Sequence, residues 1–535
     1  MATNSESTSQ AQKTIIDETA SQSVPSDANV DLNLPLSGDA SSSPSGDSPA
    51  SEEIDELSPS SLADPEQSKS FFQFPEGFLW GVATSHFQVE GHKNEISNRL
   101  SDWAKWTEEE GRILDRSTAD KACEFFERYE SDIELCEQLN LNSFRLSLNW
   151  PAMCPGPNHE YSADDETLKV YRDMLKLLKA KGFKTFVTLF HFCLPSWLAE
   201  IGGWNNELTI VEFERFARFV AIELGEYVDF WITINEPLAY VYQGFIVGLW
   251  PPGYVHNYFK GFDCVRNLLR GHASAYKTLH ELIPDARVSV THHWMSFSPR
   301  SQFNPLDHLV KHMRDQVFNH SFMAALHSGD LQFPWPASLD PRLKDLSGTI
   351  DGLANTMDFI GINYYTRQFC NFEFKWPPDI FGAKTEMAEN ELSGLGWESY
   401  PQGLYNLLVN ELKPYRYDQN GHLRDIYITE NGHANIFGAE LTEGDWSLED
   451  GGRVRYLVSH LMSLYRAIAD GANVKGYLHW SLLDNFEWAE GLSARFGLVR
   501  VSYPTLKRTF RKSALIYKKI AGMNALARYL ERAHS

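Results

Sequence analysis

Between Phe78 and Ala521 the chain switches eight times from a short run of β-branched and aromatic residues to a longer stretch of helical spacing. The predicted strands are Phe78–Val82, Ser143–Leu148, Lys184–Phe190, Asp229–Ile234, Ala286–Thr291, Asp358–Ile362, Ile426–Thr429 and Val474–Trp480. The predicted helices are Thr118–Leu139, Asp164–Lys181, Glu207–Gly225, Gly261–Leu282, Pro305–Ser328, Gly403–Leu412, Gly451–Asp470 and Thr505–Ala521. In the first helix Phe125, Tyr129, Ile133 and Cys136 fall on one face, and in the third Phe213, Phe216 and Val220 do. Buried parallel strands read as near-continuous apolar runs, and joining two of them takes a crossover long enough for a helix. Eight such units predict an α/β fold, a (β/α)8 TIM barrel. A doubly wound open sheet is disfavoured, because no Gly-rich phosphate turn follows the first strand.

In such a barrel chemistry sits on the loops that leave the strands. Trp231-Ile232-Thr233-Ile234 is a buried strand that Pro237 forbids to continue, so Asn235 and Glu236 stand where strand gives way to loop. Ile426–Thr429 repeats the arrangement, with Glu430-Asn431-Gly432 as carboxylate and turn. The remaining strand ends carry Gln88, Arg145, His191, Asn363, Tyr365, and Trp480 through Trp488. Each alone has a bland explanation: an ion-paired Arg, a satisfied core His, an exposed Glu. Their convergence on one rim points to chemistry. Two carboxyls facing each other at ~5–5.5 Å would let one attack an anomeric carbon while the other protonates the leaving oxygen, with retention of configuration. The attacking group must be ionised, which a nearby arginine and phenol would favour, and the other must hold a proton.

The net charge of −23 argues against nucleic acid and anionic membrane as partners. Roughly half of it lies in residues 1–70, which are rich in Ser, Asp, Glu and Pro and nearly free of aromatics. This acidic leader is expected to be disordered, with one catalytic domain spanning residues 71–535. The 15 tryptophans exceed what a core of this size needs and suit stacking on sugar rings. Six scattered cysteines without CxxC spacing are expected to be buried thiols of a reducing compartment. The start lacks basic and apolar signal regions and no run reaches ~18 apolar residues, so neither secretion nor membrane insertion is expected and the cytoplasm is the default. No metal or organic cofactor is expected. His292 and His293 adjoin, but neighbours on a strand point to opposite faces and cannot chelate together, so at most one of them faces the barrel mouth. Nothing in the pattern specifies an oligomeric state.

Four long segments carry a resemblance: Phe78-Leu79-Trp80-Gly81-Val82-Ala83-Thr84-Ser85, Ile232-Thr233-Ile234-Asn235-Glu236-Pro237, Tyr427-Ile428-Thr429-Glu430-Asn431-Gly432, and Trp480-Ser481-Leu482-Leu483-Asp484-Asn485-Phe486-Glu487-Trp488. They resemble the signatures of glycoside hydrolase family 1, the β-glucosidase family, from about Phe72 to the C-terminus. The resemblance implies a retaining exo-β-glycosidase acting on a small-molecule glycoside through a covalent glycosyl-enzyme. Glu236 would be the acid/base and Glu430 the nucleophile, with Arg145 and Tyr365 on the nucleophile's carboxylate and Asn235 on the sugar 2-hydroxyl. Gln88, His191, Glu487 and Trp488 would hold the remaining hydroxyls of the non-reducing sugar, with Trp480 as its stacking floor, and Asn363 and Phe496 would also bind substrate.

Three positions refine this implication. Glu236 is not the Gln of thioglucoside-cleaving members, so O-glycosides are expected. Glu487 is retained and Ser493-Ala494-Arg495-Phe496 follows, which disfavours phosphosugars by repulsion. His191-Phe192-Cys193-Leu194-Pro195 departs from the usual His-Trp-Asp-Leu-Pro, and Phe192 lacks an indole N–H, so the glycon stays open among glucose, galactose and fucose. The alternatives are a transglycosylase sharing the same intermediate and a non-catalytic sugar-binding barrel. The loops 94–117, 244–259, 369–395 and 433–450 would shape the aglycone side.

Overall fold

A computed structural model describes residues 71–91, 100–334, 341–373, 383–384, 388–436 and 450–527. The acidic leader lies outside the described residues, as do parts of three of the four loops expected to meet the aglycone.

Eight parallel strands form a closed ring: β1 (Leu79–Ala83), β2 (Ser143–Ser147), β3 (Lys184–Phe190), β4 (Phe230–Asn235), β5 (Val288–Pro299), β6 (Phe359–Cys370), β7 (Asp425–Glu430) and β8 (Val474–Trp480). Each pairs with the next, β5 with β6 and β8 back onto β1, which closes the ring. The helices α1 (Phe125–Gln138), α2 (Glu166–Ala180), α3 (Glu207–Leu224), α4 (Tyr258–Leu282), α5 (Pro305–Asp315), α6 (Pro401–Asn406), α7 (Gly451–Ala469) and α8 (Lys512–Met523) follow the strands in order. Together these make the expected (β/α)8 TIM barrel.

Within the ring Phe186, Phe230, Ile232, Phe359, Tyr427 and Leu478 pack together, the Phe186 and Phe230 rings stacked at 4.2 Å. This apolar plug fills the lower barrel, and the polar residues stand above it at the C-terminal strand ends. The helices bury the faces their spacing predicts, including Phe213, Phe216 and Val220 of α3. α1 begins only at Phe125, after a left-handed Glu124 at φ 50°, rather than at Thr118.

Three further expectations need correction. β5 and β6 run well past the predicted Thr291 and Ile362, because they go on pairing from Ser296–Arg367 to Pro299–Cys370. The helix after β5 is broken by a π-helical turn at Gln316–His320, and the helix after β6 ends in another at Leu407–Glu411. The last helix starts at Lys512, not Thr505, since Lys507–Phe510 pairs antiparallel with Val499–Ser502.

The six cysteines are all buried and free. Among the described residues no helix is long and apolar enough to cross a membrane.

Candidate active site

Arg145 on β2 is wholly buried and makes four hydrogen bonds. It donates to Glu430 Oε1 at 2.6 Å, Asn235 Oδ1 at 2.6 Å, the Thr429 carbonyl at 3.3 Å and Thr188 Oγ1 at 3.2 Å. A buried guanidinium needs a counter-ion, and Glu430 supplies it. The Tyr365 hydroxyl on β6 donates to the other Glu430 oxygen at 2.6 Å. Burial, with the Glu430 charge beside it, pushes the Tyr365 phenol well above its ordinary value and keeps it a donor.

Glu236 is held differently. It caps the short helix Pro237–Val241 from a left-handed backbone at φ 43°, with Pro237 at the first helical position, where a missing N–H costs nothing. A bulky residue held at positive φ is a mark of functional sites. The Asn363 amide donates to Glu236 Oε1 at 2.6 Å, and His293 Nδ1 lies 3.3 Å from Oε2. Asn363 cannot flip, because its own Oδ1 accepts from Thr429 at 2.8 Å.

The two carboxyls are electrostatically linked. Burial drives Glu430 up to about 7, opposed by Arg145 and Tyr365 and reinforced by the charge of Glu236. Burial also acts upward on Glu236, but attraction to His293, the His293 hydrogen bond and the Asn363 amide bring that carboxyl below its ordinary value. Charge on either carboxyl thus opposes ionisation of the other.

The rest of the rim is equally wired. Asn235 accepts from Arg145, which turns its NH2 toward His191 Nε2 at 3.2 Å. Burial, then Arg145, holds His191 well below its ordinary value, so the ring is neutral. With Nε2 accepting, its proton sits on Nδ1, a buried atom that no protein group satisfies. The ring lies between Trp480 and Trp488, parallel within 28° and 23°. Gln88, in the short helix after β1, accepts from Ser85 and donates to Asn485 and Glu487, both at 3.1 Å. Burial pushes Glu487 well above the carboxylate range, aided by Glu490 and Glu430. Trp480 and Phe496 pack with Tyr365, Ala83 and Ala434 into one apolar wall. Gly432 is required here: a Cβ would stand 1.9 Å from the Trp480 carbonyl oxygen. Phe192 packs on Trp250 at 4.7 Å and Trp488 at 5.2 Å and offers the rim no polar atom.

The structure thus brings all the residues singled out in the sequence to one end of the barrel. Asn363, expected to meet substrate, spends its amide on Glu236 and on Asn235 Oδ1 at 3.2 Å. Sequence reasoning missed Thr188, the part of His293, and Trp397, which packs on Tyr365 with ring centroids 5.5 Å apart. Only for His293 was a signal visible, in the adjacent histidines whose orientation the strand register settles. His292 points away, stacked on Phe322, and burial holds it down to about 3. Among the described residues one trio could approach a cation, Asp315, His320 and Glu411, but Lys311 already pairs with Asp315 at 2.9 Å. It is not part of the rim.

Known proteins share this architecture. The sequence model of Glycosyl hydrolase family 1 matches residues 71–526. Beta-glucosidase A of Thermotoga maritima is 34% identical over 461 residues, covering 85% of this chain and 99% of the relative. A beta-galactosidase of Pyrococcus woesei is 29% identical, covering 86% of this chain and 99% of the relative. The solved structure of the family 1 β-glucosidase from Thermotoga maritima has a TM-score of 0.76 at 31% identity, covering 85% of this chain and 99% of that one. The chain belongs to glycosyl hydrolase family 1 and is an O-glycosyl hydrolase.

Proposed function

We propose that Glu430 and Glu236 carry the retaining exo-β-glycosidase chemistry of this family 1 hydrolase, Glu430 as nucleophile and Glu236 as acid and then base. The observation that carries the assignment is the unequal company of the two carboxyls. Glu430 accepts two short hydrogen bonds, one from a permanent cation. A proton there would leave Arg145 without a counter-ion. Glu236 has no arginine bonded to it among the described residues: what offsets burial there is His293 at 3.3 Å and the Asn363 amide at 2.6 Å. The acid proton therefore belongs on Glu236 in the working enzyme, and the part of the upward push on Glu430 that comes from the Glu236 charge is relieved when its partner is uncharged.

Glu430 then attacks the anomeric carbon as the bond to the leaving oxygen breaks, and that oxygen takes the Glu236 proton. Glu236, now a carboxylate, removes a proton from water, which attacks the same carbon and frees Glu430. In this reading the NH2 of Asn235 donates to the sugar 2-hydroxyl, and the unsatisfied His191 Nδ1–H, Gln88, Glu487 and Trp488 bind the other hydroxyls. A site built to satisfy hydroxyls rejects sugars that lack them. Phe192 contributes no donor, so the glycon is glucosyl, galactosyl or fucosyl; relatives named for glucosidase and galactosidase activity support testing all three. Six buried free thiols fit a cytoplasmic enzyme.

The test uses aryl and alkyl β-glycosides of the three sugars. Glu430→Gln should lose turnover on every substrate by several orders of magnitude. Glu236→Gln should cripple alkyl glycosides while sparing nitrophenyl ones, whose leaving groups need little protonation. Equal losses on both classes would refute the acid/base assignment. Predominant transfer to added alcohol at low concentration would replace hydrolysis by transglycosylation.

A further inference from the structure

Glu236 is contacted from β5 by a residue outside the set just assigned. His293 places Nδ1 3.3 Å from Glu236 Oε2, while its Nε2 is buried and has no hydrogen-bond partner. The ring is fixed by edge-on packing against Phe318 at 5.8 Å and a tilted contact with Tyr365 at 5.7 Å. These contacts decide the tautomer. A proton on Nε2 would be an N–H buried without an acceptor, which costs more than a bare ring nitrogen. The neutral ring therefore carries its proton on Nδ1 and donates it to Oε2.

Asn363 is likewise locked as a donor to Oε1. Both carboxyl oxygens are thus held, Oε1 by Asn363 at 2.6 Å and Oε2 by His293 at 3.3 Å. We propose that His293 is a positioning residue for Glu236: from the Oε2 side it completes the clamp that Asn363 makes on Oε1, so that the carboxyl is held in one plane toward the leaving oxygen, and it sets the pH at which the acid proton is lost. This rests on the assignment of Glu236 as the acid/base.

The groups that bear on His293 are few. Glu236 faces it from the end of β4 and Tyr365 from β6, Phe318 closes the helix side, and His292 adjoins on β5 but points away. Beyond Glu236 stand Arg145 and Glu430, whose charges oppose each other. A hydrogen bond to a carboxylate favours its ionised form, so removing the donor should make Glu236 hold its proton to higher pH. The His293 contribution to Glu236 has that same sign.

The experiment is the pH dependence of kcat/KM for His293→Phe and His293→Gln, with an alkyl and a dinitrophenyl β-glycoside. The Phe variant keeps the ring packing and removes the donor. Its alkaline limb should move up by about 1 pH unit. Its kcat on the alkyl substrate should fall about tenfold or more, with the dinitrophenyl rate held within about twofold. The Gln variant, which restores an N–H, should recover part of both. An unmoved alkaline limb, or equal losses on the two substrates, would overturn the role of His293. Glu236→Gln run in parallel separates the two levels: if it too hurts both substrates equally, the acid/base assignment fails and takes this inference with it. A readout independent of variant folding is the ring itself. In 15N-histidine-labelled full-length enzyme, Nδ1–H at His293 supports the inference, and a neutral ring protonated on Nε2 overturns it.

Discussion

Arg145 and Tyr365 divide the labour on Glu430: each takes one carboxylate oxygen at 2.6 Å, one as a cation and one as a neutral donor. A hydrogen bond to a charged group contributes about 1.5–3 kcal/mol. Tyr365→Phe removes the neutral one without emptying the site of volume. It should lower kcat roughly 10- to 100-fold with little change in KM, read most directly in the pre-steady-state glycosylation phase. The sign on pH follows, since the tyrosine pulls Glu430 down against burial. Without it Glu430 protonates at higher pH, and the acidic limb of kcat/KM should move up. A variant with wild-type kcat and acidic limb would show that the phenol merely packs. All the residues of this network are polar types at strand ends, which is why they could be singled out. Their pairings could not, because each joins strands far apart in the chain.

At the scale of elements, both carboxylate strands carry a register irregularity just before their tips. Ile232 pairs with Ser289 and Asn235 with Thr291, three steps against two, and Ile428 to Glu430 spans what Ile362 to Asn363 spans in one step. Strict alternation from Phe230 and Tyr427, which face the barrel interior, would turn Asn235 and Glu430 outward. The irregularities re-aim them, a use of bulges common beside active sites. The loop after β8 is anchored by a different device. Asp484, fully buried, accepts two bonds from Arg511 at 2.9 and 2.8 Å and two backbone N–H bonds from Gly497 and Val501. Asp484→Ala strands a buried guanidinium and should cost about 3–5 kcal/mol in chemical denaturation. Burial pushes the Asp484 carboxyl up, but Arg511 overrides it and holds it below its ordinary value. Its contribution is thus complete above an unfolded-state value of about 3.9 and lost as pH falls through the lower folded value. The acid side of the stability profile should be shallower in Asp484→Asn than in the parent; an identical slope would assign acid sensitivity elsewhere. The sequence showed this aspartate only as part of a motif.

For the whole molecule, the described chain begins and ends in the same place. Phe71–Gln73 pairs antiparallel with Ala525–Ala527, and Phe74 packs on Phe78, Trp80 and Tyr465 between barrel and helices. A chain starting at residue 71 should keep full activity, whereas one starting at residue 76 loses a strand and two buried phenylalanines, Phe71 and Phe74, each worth about 3 kcal/mol, and should melt several degrees lower. A loss of activity on removing residues 1–70 alone would give the acidic leader a role that its composition does not suggest. Eight strands, eight helices, their order and most of their bounds were legible because period and composition are local properties of the chain. So were the two glutamates, since a strand ending in a carboxylate and a turn is written in consecutive residues. What tertiary structure alone decided was which atoms meet. The irregularities that turn Asn235 and Glu430 inward, the single Arg145 that serves both, the ring of His293 on Glu236 and the amide of Asn363 spent on protein all depend on register between strands. Register is fixed only when the barrel closes, because a slip of one residue exchanges the face toward the cavity for the face toward the helices.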